Sequence, residues 1–76
     1  MTLKDLRQKA GLTQEQVAKI IEVDQAAVSN WEIGKYSPVR KYREKLAKLY
    51  GCTAVEIHSV SEEARKLYRE RMGVTT

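Results

Sequence analysis

Apolar side chains recur along this chain at spacings of three and four, never in sustained alternation, and Gly and Pro fall only at the edges of these runs. Such a pattern predicts amphipathic helices without strands, an all-α fold. Thr2 and Asp5 have the spacing of a capping box, and Leu3, Leu6 and Ala10 make an apolar face ahead of Gly11, so a first helix is expected over about residues 3 to 9. Thr13 and Gln16 repeat the box, with Leu12 and Val17 placed as a hydrophobic staple, and predict a second helix over about 14 to 21 with Val17, Ala18 and Ile21 inward. Ile20 falls outside that stripe, where it can touch a neighbouring helix. Asp24 is placed to cap a third helix, closed by Gly34, with Ala27, Val28 and Trp31 inward and Gln25, Ala26, Ser29 and Asn30 outward.

After Lys35-Tyr36-Ser37-Pro38 breaks the periodicity, a fourth helix is expected over about 39 to 50, burying Tyr42, Leu46 and Leu49 and ending at Gly51. Thr53 and Glu56 form a third capping box, opening a short fifth helix with Val55 and Ile57 in the core. Ser61-Glu62-Glu63 reads as a further N-cap followed by acids. It predicts a short sixth helix to about Met72 with Ala64, Leu67, Tyr68 and Met72 as its apolar stripe. That stripe can pack back on the domain, pair with a second copy or stay frayed. The expected organisation is a compact five-helix domain over residues 1–59 and a helical extension and tail over 60–76.

Two short capped helices joined by a tight turn, over residues 13 to 34, are the layout of a helix-turn-helix DNA reader. The outward residues of the third helix suit the task. The Gln25 and Asn30 amides can pair bidentately with adenine, Ala26 can meet a thymine methyl, and the Ser29 hydroxyl can donate or accept. Charge changes the picture next. Residues 1 to 34 carry −1, residues 35 to 50 carry +5 and residues 51 to 76 carry 0, so the net +4 originates just after the reading helix. A phosphate backbone would meet its positive surface there, with Lys35, Tyr36, Ser37, Arg40 and Lys41 as candidate contacts and Gln14 at the start of the second helix as another.

Composition narrows the alternatives. The chain has 76 residues, one Cys and one His, which supports one small domain, no internal disulfide and no intramolecular zinc site. Cys52 is expected as a small core filler and His58 as a helix-end side chain. No nucleophile with a base, paired catalytic carboxylates or glycine-rich phosphate loop appears, so an enzyme is not expected, and neither is a cofactor or small-molecule ligand. An apolar leader segment and a membrane-length apolar run are both absent, and a cytoplasmic protein is expected.

The residues Gly11-Leu12-Thr13-Gln14-Glu15-Gln16-Val17-Ala18, Val23, Val28-Ser29, Trp31-Glu32-Ile33-Gly34-Lys35, Pro38, Leu46-Ala47, Tyr50-Gly51 and Val55-Glu56-Ile57 carry a resemblance. Over about residues 3 to 58 the chain resembles the phage Cro and lambda-type repressor family of helix-turn-helix domains, often called XRE-like. The resemblance implies a transcriptional regulator, commonly in phage or mobile-element switches. It implies a homodimer on a palindromic operator in double-stranded DNA, with the third helix, about 25 to 33, in the major groove. It further implies base contacts by Gln25, Ala26, Ser29 and Asn30, a phosphate clamp at Gln14, and a structural pair between Arg7 and Glu32. Two positions depart from the family pattern. Glu22 stands where Gly is usual in the turn and must adopt or avoid a positive φ, and Ile20 stands where a polar residue is usual. The competing reading is an antitoxin or adaptor-type interaction module that binds a partner through the C-terminal helix.

Overall fold

The computed structural model describes residues 1–73, and within them the chain is all-helical. Five helices follow in order: α1 Leu3–Lys9, α2 Gln14–Ile21, α3 Gln25–Ile33, α4 Arg40–Tyr50 and α5 Ala54–Met72. Three of them start where a capping box requires. Thr2 with Asp5, Thr13 with Gln16 and Thr53 with Glu56 each exchange the two side-chain-to-backbone hydrogen bonds. The helix termini at Gly34 and Gly51 are left-handed, at φ +89° and +69°, conformations that glycine adopts without a Cβ penalty.

The core gathers one face from each helix: Leu3 and Leu6 from α1, Val17, Ala18 and Ile21 from α2, Val28 and Trp31 from α3, Leu46 and Ala47 from α4, and Ile57 from α5. Tyr42 and Leu49 of α4 are half-buried against it, with the Tyr42 ring 5.6 Å from that of Trp31.

Several expectations are corrected. The separate sixth helix does not exist, because α5 runs unbroken for 19 residues. Nothing between Thr53 and Gly73 can stop it, as that stretch holds neither Gly nor Pro. Ser61 is therefore a buried mid-helix residue, not an N-cap, and His58 is an exposed mid-helix one. Val55 is 77% exposed because the inward face of α5 passes through Ala54, Ile57 and Ser61, about 100° away. Ala10 lies beyond the end of α1 and is exposed, while Arg7 takes the inward place. Asp24 occupies the N-cap position of α3 without a side-chain cap bond. Ile20, as its place off the stripe predicts, is 54% exposed and meets a neighbouring helix, lying beside Leu49, Lys45 and Lys48 of α4. Cys52 is half-buried and packs against the core, in keeping with the small filler expected there, and burial pushes its thiol pKa up. Residues 74–76 of the expected tail lie outside the described residues.

Candidate nucleic-acid interface

The turn between α2 and α3 is only three residues long, and Glu22 makes it possible by adopting φ 62° and ψ 54°. The Val23 N–H donates to the Ala18 carbonyl at 2.9 Å, closing the end of α2. With Ala27, Val28 and Trp31 turned inward, α3 must present the remainder of its circumference to solvent. Gln25 and Ala26 are exposed and Ser29 and Asn30, one turn on, are half-buried. Of these four, the side chains closest to the start of α3 are thus the most open, as a helix entering a groove by its N-terminal half requires.

The opposite end of α3 is anchored by a buried polar network. Arg7 Nε donates to Glu32 Oε2 at 2.6 Å and Nη2 to Oε1 at 3.1 Å, while Nη1 donates to the Leu12 carbonyl at 2.9 Å. The two side chains are only 10% and 6% exposed, so the fork-on-carboxylate geometry operates with little screening and fixes the angle of α1 on α3. The hydrogen bonds to Glu32 raise the Arg7 pKa, and burial raises that of Tyr50, with the Glu32 charge adding to it. Gln14 joins the network, its Nε2 donating to Glu32 Oε1 at 3.0 Å. One amide hydrogen of Gln14 is thereby used and the other remains for an acceptor such as a phosphate oxygen.

Beyond α3 the backbone passes close to α5. A Cβ added to Gly34 would lie 2.1 Å from the Ala64 carbonyl oxygen, so only glycine lets the two elements meet. Arg65 Nη1 donates to the Lys35 carbonyl, Ser37 Oγ donates to Glu62 Oε2 at 3.2 Å, and Arg43 Nη1 donates to the Pro38 carbonyl at 3.0 Å. Three side chains from α4 and α5 thus shape the loop that carries the candidate phosphate contacts. Sequence reasoning missed Glu62, Arg65 and Arg43 in this role. No local signal could have found the first two, which act across 25 and 30 residues.

Of the candidate phosphate contacts, Lys35, Tyr36, Arg40 and Lys41 are exposed and Ser37 is half-buried with its hydroxyl directed at α5. Lys35 Nζ stands 5.7 Å from the Tyr36 ring centre, and Lys41 Nζ 5.5 Å from that of Tyr42. Arg40 reaches Glu44 at 3.5 Å, but both are well exposed, and a pair so hydrated costs little to open. Among the described residues no three His, Cys, Asp or Glu side chains gather as a metal site, and no helix is long and apolar enough to cross a membrane.

The family model described as helix-turn-helix matches residues 3–57. A cryptic phage CTXphi transcriptional repressor, RstR, of Vibrio cholerae is 42% identical over 60 residues, covering 79% of this chain and 54% of that protein. The HTH-type transcriptional regulator PuuR of Escherichia coli is 34% identical over 61 residues, covering 80% of this chain and 33% of that protein. An uncharacterized HTH-type transcriptional regulator of Archaeoglobus fulgidus is 33% identical over 61 residues, covering 80% of this chain and 86% of that protein. The chain thus spans about half the length of the phage repressor and a third of the Escherichia coli regulator. No solved structure matches.

Proposed function

Since the chain belongs to the helix-turn-helix family, we propose that it is a sequence-specific DNA-binding transcriptional regulator, a repressor that binds a palindromic operator as a homodimer. The observation that carries this reading is the presentation of Gln25 and Ala26 at the open end of an α3 whose other end is anchored. In this reading Gln25, Ala26, Ser29 and Asn30 read base edges in the major groove, and Gln14, Lys35, Tyr36, Arg40 and Lys41 bind phosphates. Ser37 contributes only by exchanging Glu62 for a phosphate oxygen. The reading places the protein in the cytoplasm, with DNA as its ligand and no catalytic step, and the likeness to a phage repressor supports a role in a phage or mobile-element switch.

Selecting binding sites with the parent, Gln25→Ala and Asn30→Ala tests it. Loss of a bidentate amide contact should cost roughly 1 to 3 kcal/mol at one base pair and relax preference there. Identical preferences in all three would remove α3 as the reader. Neutralising Lys35 and Arg40 together should leave the preferred sequence unchanged and flatten the salt dependence of dimer binding by a slope of about 3.6, since the two copies lose four phosphate contacts of about 0.9 each.

A further inference from the structure

Residues 34–39 link α3 to α4 and carry Lys35, Tyr36 and Ser37, three of the candidate phosphate contacts. The link forms neither helix nor strand, and its first amides are drawn to α3: the Lys35 and Tyr36 N–H groups both donate to the Asn30 carbonyl, at 3.0 and 3.5 Å. Its other side rests on α5. Within a single turn of that helix, Glu62 accepts from the Ser37 hydroxyl at 3.2 Å, the Ala64 carbonyl lies against Gly34, and Arg65 donates to the Lys35 carbonyl. All three of these α5 residues lie beyond residue 57, where the helix-turn-helix match ends.

Glu62 and Arg65 are opposite charges three apart on one helix, the spacing at which side chains commonly pair with each other. They form no ion pair, and each reaches across to the loop instead. Both stand outside the core, Glu62 exposed and Arg65 half-buried, while α5 is already held there by Ile57 and Val60. Contacts so open contribute little to global stability. What they fix is the path of the loop.

Given the phosphate contacts proposed above, on which this rests, we infer that Arg65 is a positioning residue for phosphate binding. By holding the Lys35 carbonyl it pre-sets the backbone from which Lys35 and Tyr36 reach the DNA strand. A loop left free must be ordered at the moment of binding, and that cost is subtracted from affinity. With the Lys35 amide on Asn30 and its carbonyl on Arg65, the exposed Lys35 and Tyr36 side chains start from a set backbone. Glu62 braces the same loop but brings a negative charge towards incoming phosphates, so its removal has opposed effects. Arg65 is the cleaner probe.

The test compares the parent, Arg65→Met and Lys66→Ala for affinity to a mixed-sequence DNA duplex at low salt, with unfolding midpoints alongside. Methionine keeps the long stem and the helix propensity but donates no hydrogen bond. Arg65→Met should bind roughly tenfold more weakly for each copy bound, the cost of ordering two long side chains, and should unfold close to the parent. Lys66→Ala removes the same charge from an exposed neighbour and should stay within about twofold of the parent, whereas an equal loss would reduce Arg65 to general electrostatics and overturn its role. The decisive measurement repeats Arg65→Met in a chain already carrying Lys35→Ala and Tyr36→Ala. A residue that acts through those side chains should then cost almost nothing. A loss as large as before would mean that Arg65 acts by another route, and would overturn the inference. Should Arg65→Met fail to fold, Arg65→Ala, the better helix former, takes its place, and a collapse of both would show that Arg65 serves stability instead. If Arg65→Met binds like the parent while Lys35→Ala with Tyr36→Ala binds weakly, the positioning role falls and the phosphate reading stands. If removing Lys35 and Tyr36 leaves affinity unchanged, the phosphate reading of this loop falls, and the positioning role with it.

Discussion

At its N-terminal end α3 shows Gln25 and Ala26 to solvent, and its cap residue Asp24 makes no side-chain bond. At its C-terminal end Glu32 is gripped by Arg7 and Gln14, Gly34 lies against the backbone of α5, and Arg65 holds the Lys35 carbonyl. Nine residues separate a bare end from one tied to α1, α2 and α5. The difference has a mechanical meaning. A helix that reads bases must give up side-chain contacts where it enters the groove, and its aim then depends on how firmly the far end is held. The domain spends its most buried charges on that far end.

Substitutions that act on one end alone should expose this asymmetry, and the largest effect is expected at Gly34. In Gly34→Ala the new methyl meets the Ala64 carbonyl at a positive φ, so α3 and α5 must separate, with an expected loss of about 4 kcal/mol or more in denaturant unfolding. A loss below about 1 kcal/mol would show that the two helices are not in firm contact. Arg7→Ala comes next, at about 3 to 5 kcal/mol, because it strands the Glu32 carboxylate in a buried site. The double variant Arg7→Ala, Glu32→Ala should be less unstable than Arg7→Ala alone. Additive losses in that cycle would dissolve the pair and with it the idea of an anchored end.

The turn leading into α3 offers a gain in place of a loss. Glu22→Gly should relieve the left-handed backbone and stabilise the domain by about 1 kcal/mol, read as a raised unfolding midpoint. An unchanged or lowered midpoint would mean that the glutamate side chain compensates its strain. The smallest effect belongs to the open end, where Gln25→Ala should shift unfolding by less than about 0.5 kcal/mol while altering base preference. A stability loss comparable to that of Arg7→Ala would erase the distinction between the two ends.

Much of this was legible along the chain. The capping boxes at Thr2, Thr13 and Thr53 placed three helix starts, because each is a reciprocal exchange between residues three apart and needs no tertiary partner. The resemblance supplied Arg7 with Glu32, two residues 25 apart whose meeting no local spacing implies. What misled was Ser61-Glu62-Glu63, a genuine N-cap pattern placed where a helix was already running. A cap signal works only where the backbone lacks partners, and within α5 it had them.

Taken alone, the sequence determined where five helices begin, the inward faces of α2, α3 and α4 and the charge excess after α3, since all of these depend on interactions within a few residues or on simple counting. Only the tertiary structure decided that residues 54 to 72 are one helix, that Gly34 exists for the sake of Ala64, that Gln14 divides its amide between Glu32 and the surface, and that Glu62 and Arg65 meet the loop after α3. Those relations join elements tens of residues apart. Local propensity is blind to them because the energy resides in packing and in buried hydrogen bonds that exist only once the helices have met.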